Sequence, residues 1–264
     1  MAQTCLNCQA EITANFCSNC GQKKYKRIDR SYVSDELQYT VLHMNKGFFY
    51  SIKQLLKNPG RTAREYIDGN RVNHYKPLLL VFVLAGISTL ISYKVIGLGD
   101  IMREYYAQMK MESEFTNDWM AFIQSSNSLL MLMMVPFFAF ATRIAFYNLG
   151  HNYFEHIVLN AYFLSFYTLV SIIILNPIIY IFRSEPQMVM MISSCSALMG
   201  IPLLVWFYRH VYPDQSLGRI IVGVLTSALL YLFLAIILGL IMLVVFAIIA
   251  SGDPESLKYL QPKK

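Results

Sequence analysis

RIIVGVLTSALLYLFLAIILGLIMLVVFAIIA, from Arg219 to Ala250, is an apolar run whose only charge is the arginine that opens it. An α-helix rises 1.5 Å per residue, so about 20 apolar residues cross a hydrocarbon core of ~30 Å. This run is a membrane span with length to spare. It is expected to tilt, to project beyond the bilayer, or to break near Gly239 into a re-entrant pair. A break would move the tail 251–264 to the other side of the membrane.

Working outward, four further runs read the same way. Residues 77–97 carry Lys94 near their end, where its long side chain can snorkel to the interface. Residues 128–147 contain Arg143 about one turn from their end. Residues 156–182 hold Pro177, an expected kink. Residues 188–208 hold Gly200 and Pro202 in their interior. The composition agrees: 56% of the 264 residues are hydrophobic and 14% charged, against about 25% charged in soluble domains. Mean hydropathy is +0.43. A soluble enzyme, a disordered chain and a nucleic-acid domain are disfavoured. The expected fold is an all-α polytopic membrane protein, its transmembrane domain covering 77–250 in about five spans.

Residues 1–76 contain twelve Lys/Arg against six Asp/Glu, so they hold the whole net charge of +6. A basic segment followed at once by an apolar span points to cytoplasmic retention and attraction to anionic lipid, not to nucleic acid. Met1 to Cys5 lacks the charged and apolar regions of a secretory signal, so the head is expected to stay in the cytosol. The loop 98–127 is net negative, and nothing in it opposes an outside location. The loop 209–219 carries Arg209 and Arg219 and suits the inside. Five spans would put Lys258, Lys263 and Lys264 outside, against the same rule.

Cys5, Cys8, Cys17 and Cys20 form CxxC–x8–CxxC. Each CxxC places two thiolates on one tight turn, and two facing turns complete the tetrahedron that zinc prefers. Some 20 residues bury too little apolar surface to fold alone, so a structural zinc would supply the missing stability. Four thiolates leave no open coordination position, which disfavours catalytic zinc. Disulfides would need an oxidising compartment, which the topology denies. The expected layout is a zinc ribbon at 1–24, with one hairpin between the pairs, basic juxtamembrane helices at 25–76, then the spans and the tail. In the juxtamembrane part, Phe48, Phe49, Ile52, Leu55 and Leu56 are expected on one helix face, flanked by Lys46, Lys53 and Lys57. Asn58-Pro59-Gly60 ends that helix, and Thr62 is the expected N-cap of a second, with Glu65 completing a capping box. The pair is expected either in the headgroup plane or packed against the end of the bundle.

The order of these elements resembles an uncharacterised family of bacterial multi-span membrane proteins known only as a domain of unknown function. The resemblance is carried by CLNC…NFCSNCGQK, by Gly47-Phe48-Phe49-Tyr50-Ser51, by Lys57-Asn58-Pro59-Gly60, by Arg64 to Arg71 (REYIDGNR) and by His74-Tyr75-Lys76-Pro77. It covers about the first 80 residues, and Tyr153-Phe154-Glu155-His156 extends it to a later span. It implies an inner-membrane protein and brings no activity.

Arg143, His151, Glu155 and His156 form a candidate polar membrane site at the inner ends of the second and third spans. His151 and Glu155 would share a helix face if the third helix starts early. Ionisable groups at membrane depth default to a functional reading, but a structural pair near the interface explains these as well. The spacing is neither HExxH nor HxxEH, so a metallohydrolase is disfavoured. Asn160 extends the polar face inward. With no nucleophile or acid–base signature, the expected function is non-enzymatic: a membrane protein whose head is an interaction or assembly module for a cytosolic protein. The alternative is a small transporter or channel using Arg143, Glu155 and His156. A homo-oligomer is compatible with either. Between the first two spans, two amphipathic turns around Tyr105 and Trp119 are expected on the outer leaflet.

Overall fold

The computed structural model describes residues 3–24, 28–29 and 47–252. Lys46 and the tail lysines Lys258, Lys263 and Lys264 lie outside the described residues.

The head is two small hairpins. β1 (Gln3–Thr4) pairs antiparallel with β2 (Glu11–Ile12), Thr4 opposite Glu11. Phe16 and Lys23 form a second, isolated antiparallel bridge. Each CxxC therefore sits at the tip of its own hairpin. The single hairpin expected between the pairs is absent among the described residues, because the chain reverses at the cysteines themselves.

Two short helices follow, α1 (Phe48–Lys57) and α2 (Pro59–Ile67). Asn58 closes one and opens the other: its Oδ1 accepts the Arg61 amide at 3.0 Å, and Pro59 occupies the first helical position, where a missing N–H costs nothing. Thr62 is thus not the cap that the sequence suggested. It lies in the first turn, its hydroxyl donating to the Asn58 carbonyl at 2.8 Å, and Glu65 pairs with Arg61 instead of completing a box. On α1, Phe48, Ile52 and Leu55 turn inward. Phe49, at 83% exposure, and Leu56, at 44%, point away, so the expected five-residue face is divided.

Among the described residues, five helices are long and apolar enough to cross a membrane. The first is α3 (Pro77–Leu90), prolonged by a π-helical segment, Ile91–Ile96. The helix α4 (Leu98–Gln108) leads to α5 (Glu114–Ala145), the second span. The helix begins at Glu114, because Ser113 and Thr116 form a capping box there, so the apolar run from about Ser128 occupies its later part. The second of the two expected amphipathic turns is therefore the opening of that helix, with Trp119 stacked between Phe115 and Phe122. The third span is α6 (Tyr153–Val170), a π-helical segment (Ser171–Leu175) and α7 (Asn176–Ile181). Pro177 has no N–H to continue the ladder, and the wider turns before it absorb that loss. The fourth span is α8 (Pro186–Val211). The last helix, α9 (Leu217–Gly252), runs 36 residues without a break at Gly239, a length of about 54 Å.

The third span is the centre of the bundle. Leu159 and Tyr162 are fully buried, against Leu80 and Leu84 of the first span and Phe207 and Tyr208 of the fourth. The two juxtamembrane helices pack into the same cluster through Leu55, Ala63, Tyr66 and Ile67. Burying Leu55 completely contributes about 1.5–3 kcal/mol. Of the two expected placements, the structure has the one against the bundle end. The close approach is made at Gly60, where a Cβ would collide with the Phe207 carbonyl oxygen and the His210 Cβ. The motif KNPG thus reads as a cap, a helix start and a contact point in consecutive residues.

Candidate functional site

The four cysteines converge from the two hairpin tips. The tips are built alike. Cys5 N–H donates to Ala10 O at 2.8 Å and Gln9 N–H to Cys5 O at 2.9 Å; Cys17 N–H donates to Gln22 O at 2.7 Å and Gly21 N–H to Cys17 O at 2.9 Å. Each tip needs a left-handed residue four positions after its first cysteine. Gly21 adopts φ 72° without steric penalty, whereas Gln9 holds φ 63° with a side chain.

Cys5 and Cys20 bring their Sγ atoms to 3.6 Å, Cys8 and Cys17 to 3.5 Å, and all four lie within 4.8 Å of one another. Disulfide sulfurs sit at about 2.05 Å, so these are thiols. Four sulfurs at ~2.3 Å from a tetrahedral ion are ~3.8 Å apart. The set fits a metal ion. The Asn7 side chain and the Gln22 amide lower the Cys20 thiol to about 6. The Cys20 and Asn19 amides lower Cys17. At Cys8 the Ala10 amide favours the thiolate, but desolvation and hydrogen bonds with Cys17 and Cys20 outweigh it and raise the thiol to about 11. Neighbouring thiolates repel one another, and a bound cation removes that conflict.

The head is docked on the juxtamembrane segment. The buried Gln22 donates from Nε2 to the Gly69 carbonyl, and Asn73 Nδ2 donates to Asn7 Oδ1 at 2.9 Å. Ile28, fully buried, joins the bundle core, and its carbonyl accepts from Asn152 Nδ2 at 2.8 Å. Beneath the dock, His74 is enclosed by Tyr50, Tyr66 and Tyr162 at ring distances of 5.2, 6.0 and 6.4 Å. Burial holds its imidazole below the ordinary range, with the charge of Glu65 opposing.

The polar cluster lies where the second, third and fourth spans meet. Asn152 caps the third helix: its Oδ1 accepts the Glu155 amide at 2.9 Å, and the Glu155 carboxylate accepts the Asn152 amide at 2.6 Å. A carboxylate at a helix N-terminus is stabilised by the free amides there. Glu155 is buried, so the cap lies inside the protein. The helix begins at Tyr153, so His151 precedes it and the shared face with Glu155 does not form. Its Nδ1 instead lies 2.9 Å from the Tyr212 hydroxyl. His156 is fully buried. Its Nδ1 lies 3.1 Å from Thr142 Oγ1, and its ring stands 6.3 Å from that of His151. Arg143, half-buried, acts through its charge on both His156 and Tyr212. Burial pushes the Tyr212 phenol far up, with Tyr208 and Glu155 adding and Arg143 opposing. The four residues singled out from the sequence do come together. Thr142, Asn152 and Tyr212 were missed; only the Asn-x-x-Glu spacing of a capping box signalled any of them.

The profile of a family described as a protein of unknown function (DUF3667) matches residues 45–89, the stretch that holds α1, α2 and the start of the first span. No curated protein matches the chain, and no solved structure does.

Proposed function

We propose that this is a non-enzymatic inner-membrane protein of bacterial type, whose cytosolic head holds one structural zinc and serves as an assembly module. The supporting observation is the dock: Gln22 on Gly69, Asn7 on Asn73 and Ile28 in the bundle core. A metal that orders the hairpins also orders the surface against which Gly69 to Asn73 rest. Leu6 and Phe16, exposed at 45% and 57%, offer apolar surface for a cytosolic protein partner. The basic segment faces anionic lipid, and the N-terminus is cytoplasmic. Four sulfur donors select zinc over the harder divalent ions. Removing zinc with a chelator is expected to accelerate hydrogen exchange in residues 69–75 of the full-length protein, read by mass spectrometry. Unchanged protection there contradicts the module. In-cell crosslinking through Lys23 and Lys24 identifies the partner, and crosslinks confined to this chain contradict the partner's part in the reading.

A second reading, transport, is favoured by one observation. A cavity of about 220 Å³ at the head end, lined by Arg64, Asp68, His151 and Tyr212, is followed inward by His156, Thr142 and Asn160. These are groups of the kind that carry protons. Under this reading, vesicles containing the protein and a pH-sensitive dye leak protons faster than empty vesicles, and His156→Ala slows the leak at least tenfold. No leak above empty vesicles rules transport of protons out.

A further inference from the structure

At the end of the first span away from the head, a cavity of about 560 Å³ lies between that span and the early part of α5. That is within the range of small-molecule sites, about 300–1,000 Å³. Its wall includes Lys94, which stands about 25 Å along the helix from Pro77, against a hydrocarbon core of ~30 Å. Trp119, two residues before the lining residue Ala121, is 47% exposed. Tryptophans and snorkelling lysines mark the level of the lipid headgroups. The rim is open at that level, since Leu90, Lys94, Ala121 and Ser125 are all exposed. Tyr93 and Lys94 reach the cavity from the π-helical segment, a rare geometry that recurs at functional sites.

Lys94 is the only charged residue in the wall. It belongs to no ion pair among the described residues. The acids nearest in sequence, Asp100 and Asp118, are not part of the wall, and Asp100 faces Arg103 at 3.7 Å. The remaining polar groups are neutral. Thr89 gives its hydrogen to the Ala85 carbonyl at 2.8 Å and accepts from Asn127 Nδ2 at 2.7 Å. Ser125 donates to the Phe122 carbonyl at 3.1 Å. The Tyr93 and Ser128 hydroxyls and the Gln124 amide make no hydrogen bond among the described residues. Each of these three can donate or accept, whereas the Lys94 ammonium only donates. The wall thus offers one cation, several neutral partners and no carboxylate.

We propose that this cavity binds the head of an anionic phospholipid whose head alcohol is uncharged, with the phosphodiester on Lys94 and the alcohol's hydroxyls on Gln124 and Ser128. The depth selects a lipid head, and the single cation selects the phosphodiester. Neutral groups that both donate and accept suit a polyol such as glycerol. A head with its own ammonium would bring a second cation beside Lys94, with no carboxylate in the wall to balance it.

The test uses the full-length protein in phosphatidylcholine vesicles that contain a little phosphatidylglycerol with a diazirine at the start of one acyl chain. Labelling is expected within residues 86–94 and 121–128. It is expected to be competed about tenfold better by phosphatidylglycerol than by phosphatidylethanolamine, and not by inorganic phosphate. Lys94→Gln is expected to lower this labelling about tenfold. Lys94→Arg is expected to keep it, with the helix content of both variants that of the parent. Four results overturn the proposal: equal competition by the two phospholipids, displacement by inorganic phosphate, label confined to the basic N-terminal quarter, or labelling of Lys94→Gln equal to that of the parent. None of them bears on the metal in the head.

Discussion

Cys17→Ser in the full-length protein is expected to remove the metal and unfold the head while the bundle keeps its helix content. A structural zinc contributes about 10–16 kcal/mol of apparent binding energy in small four-ligand modules. A serine hydroxyl does not ionise to replace the thiolate. The head has little other source of stability: among its described residues, the buried apolar cluster is Cys5, Ile12 and Cys17, with Cys8, Ala10 and Cys20 partly buried. With the hairpin tips released, Gln22 and Asn7 lose the positions from which they meet Gly69 and Asn73. The readouts are metal content, proteolytic cleavage within residues 3–24, and far-ultraviolet circular dichroism. A variant that loses metal yet resists protease contradicts the claim that the metal organises the head.

Gly60→Ala is expected to destabilise the bundle by roughly 3 kcal/mol or more. Overpacking usually costs about 1–3 kcal/mol, and here the obstacle is the Phe207 backbone, which has no rotamer to change. The clash must also outweigh the gain of about 1 kcal/mol that alanine brings to a helix interior. Gly239→Ala is the control, because a Cβ there meets nothing within 4 Å. Thermal unfolding in detergent separates the two: Gly60→Ala melts lower, Gly239→Ala at or above the parent. Equal melting of Gly60→Ala and the parent contradicts the wedge.

The five spans were legible because hydrocarbon imposes one rule on every residue it touches, and Ile220 to Ala250 obeys it without a single charge. The four cysteines were legible because spacing alone sets the knuckle. Helix limits were less so. The helix that carries the second span starts at Glu114 because of a hydrogen bond between Ser113 and Thr116, and hydropathy does not see caps. The division of the Phe48–Leu56 face was invisible because helical periodicity says which residues are apolar, not whether protein or lipid covers them. Phe49 and Phe48 are adjacent, and only one meets Tyr75. Thr142 and Tyr212 could not be placed near His156 and His151, since 14 and 61 residues separate those pairs and no local pattern spans such distances. The Gln9 turn was hidden because glutamine seldom takes left-handed backbone; its twin, Gly21, marked the same need openly.

The account rests on the four cysteines holding one metal ion that orders the head against the bundle. Metal analysis by mass spectrometry of the full-length protein, purified without added metal, tests this most directly. One zinc per chain in the parent and almost none in Cys17→Ser is the expected result. A parent without metal, or a Cys17→Ser variant with as much as the parent, would contradict it.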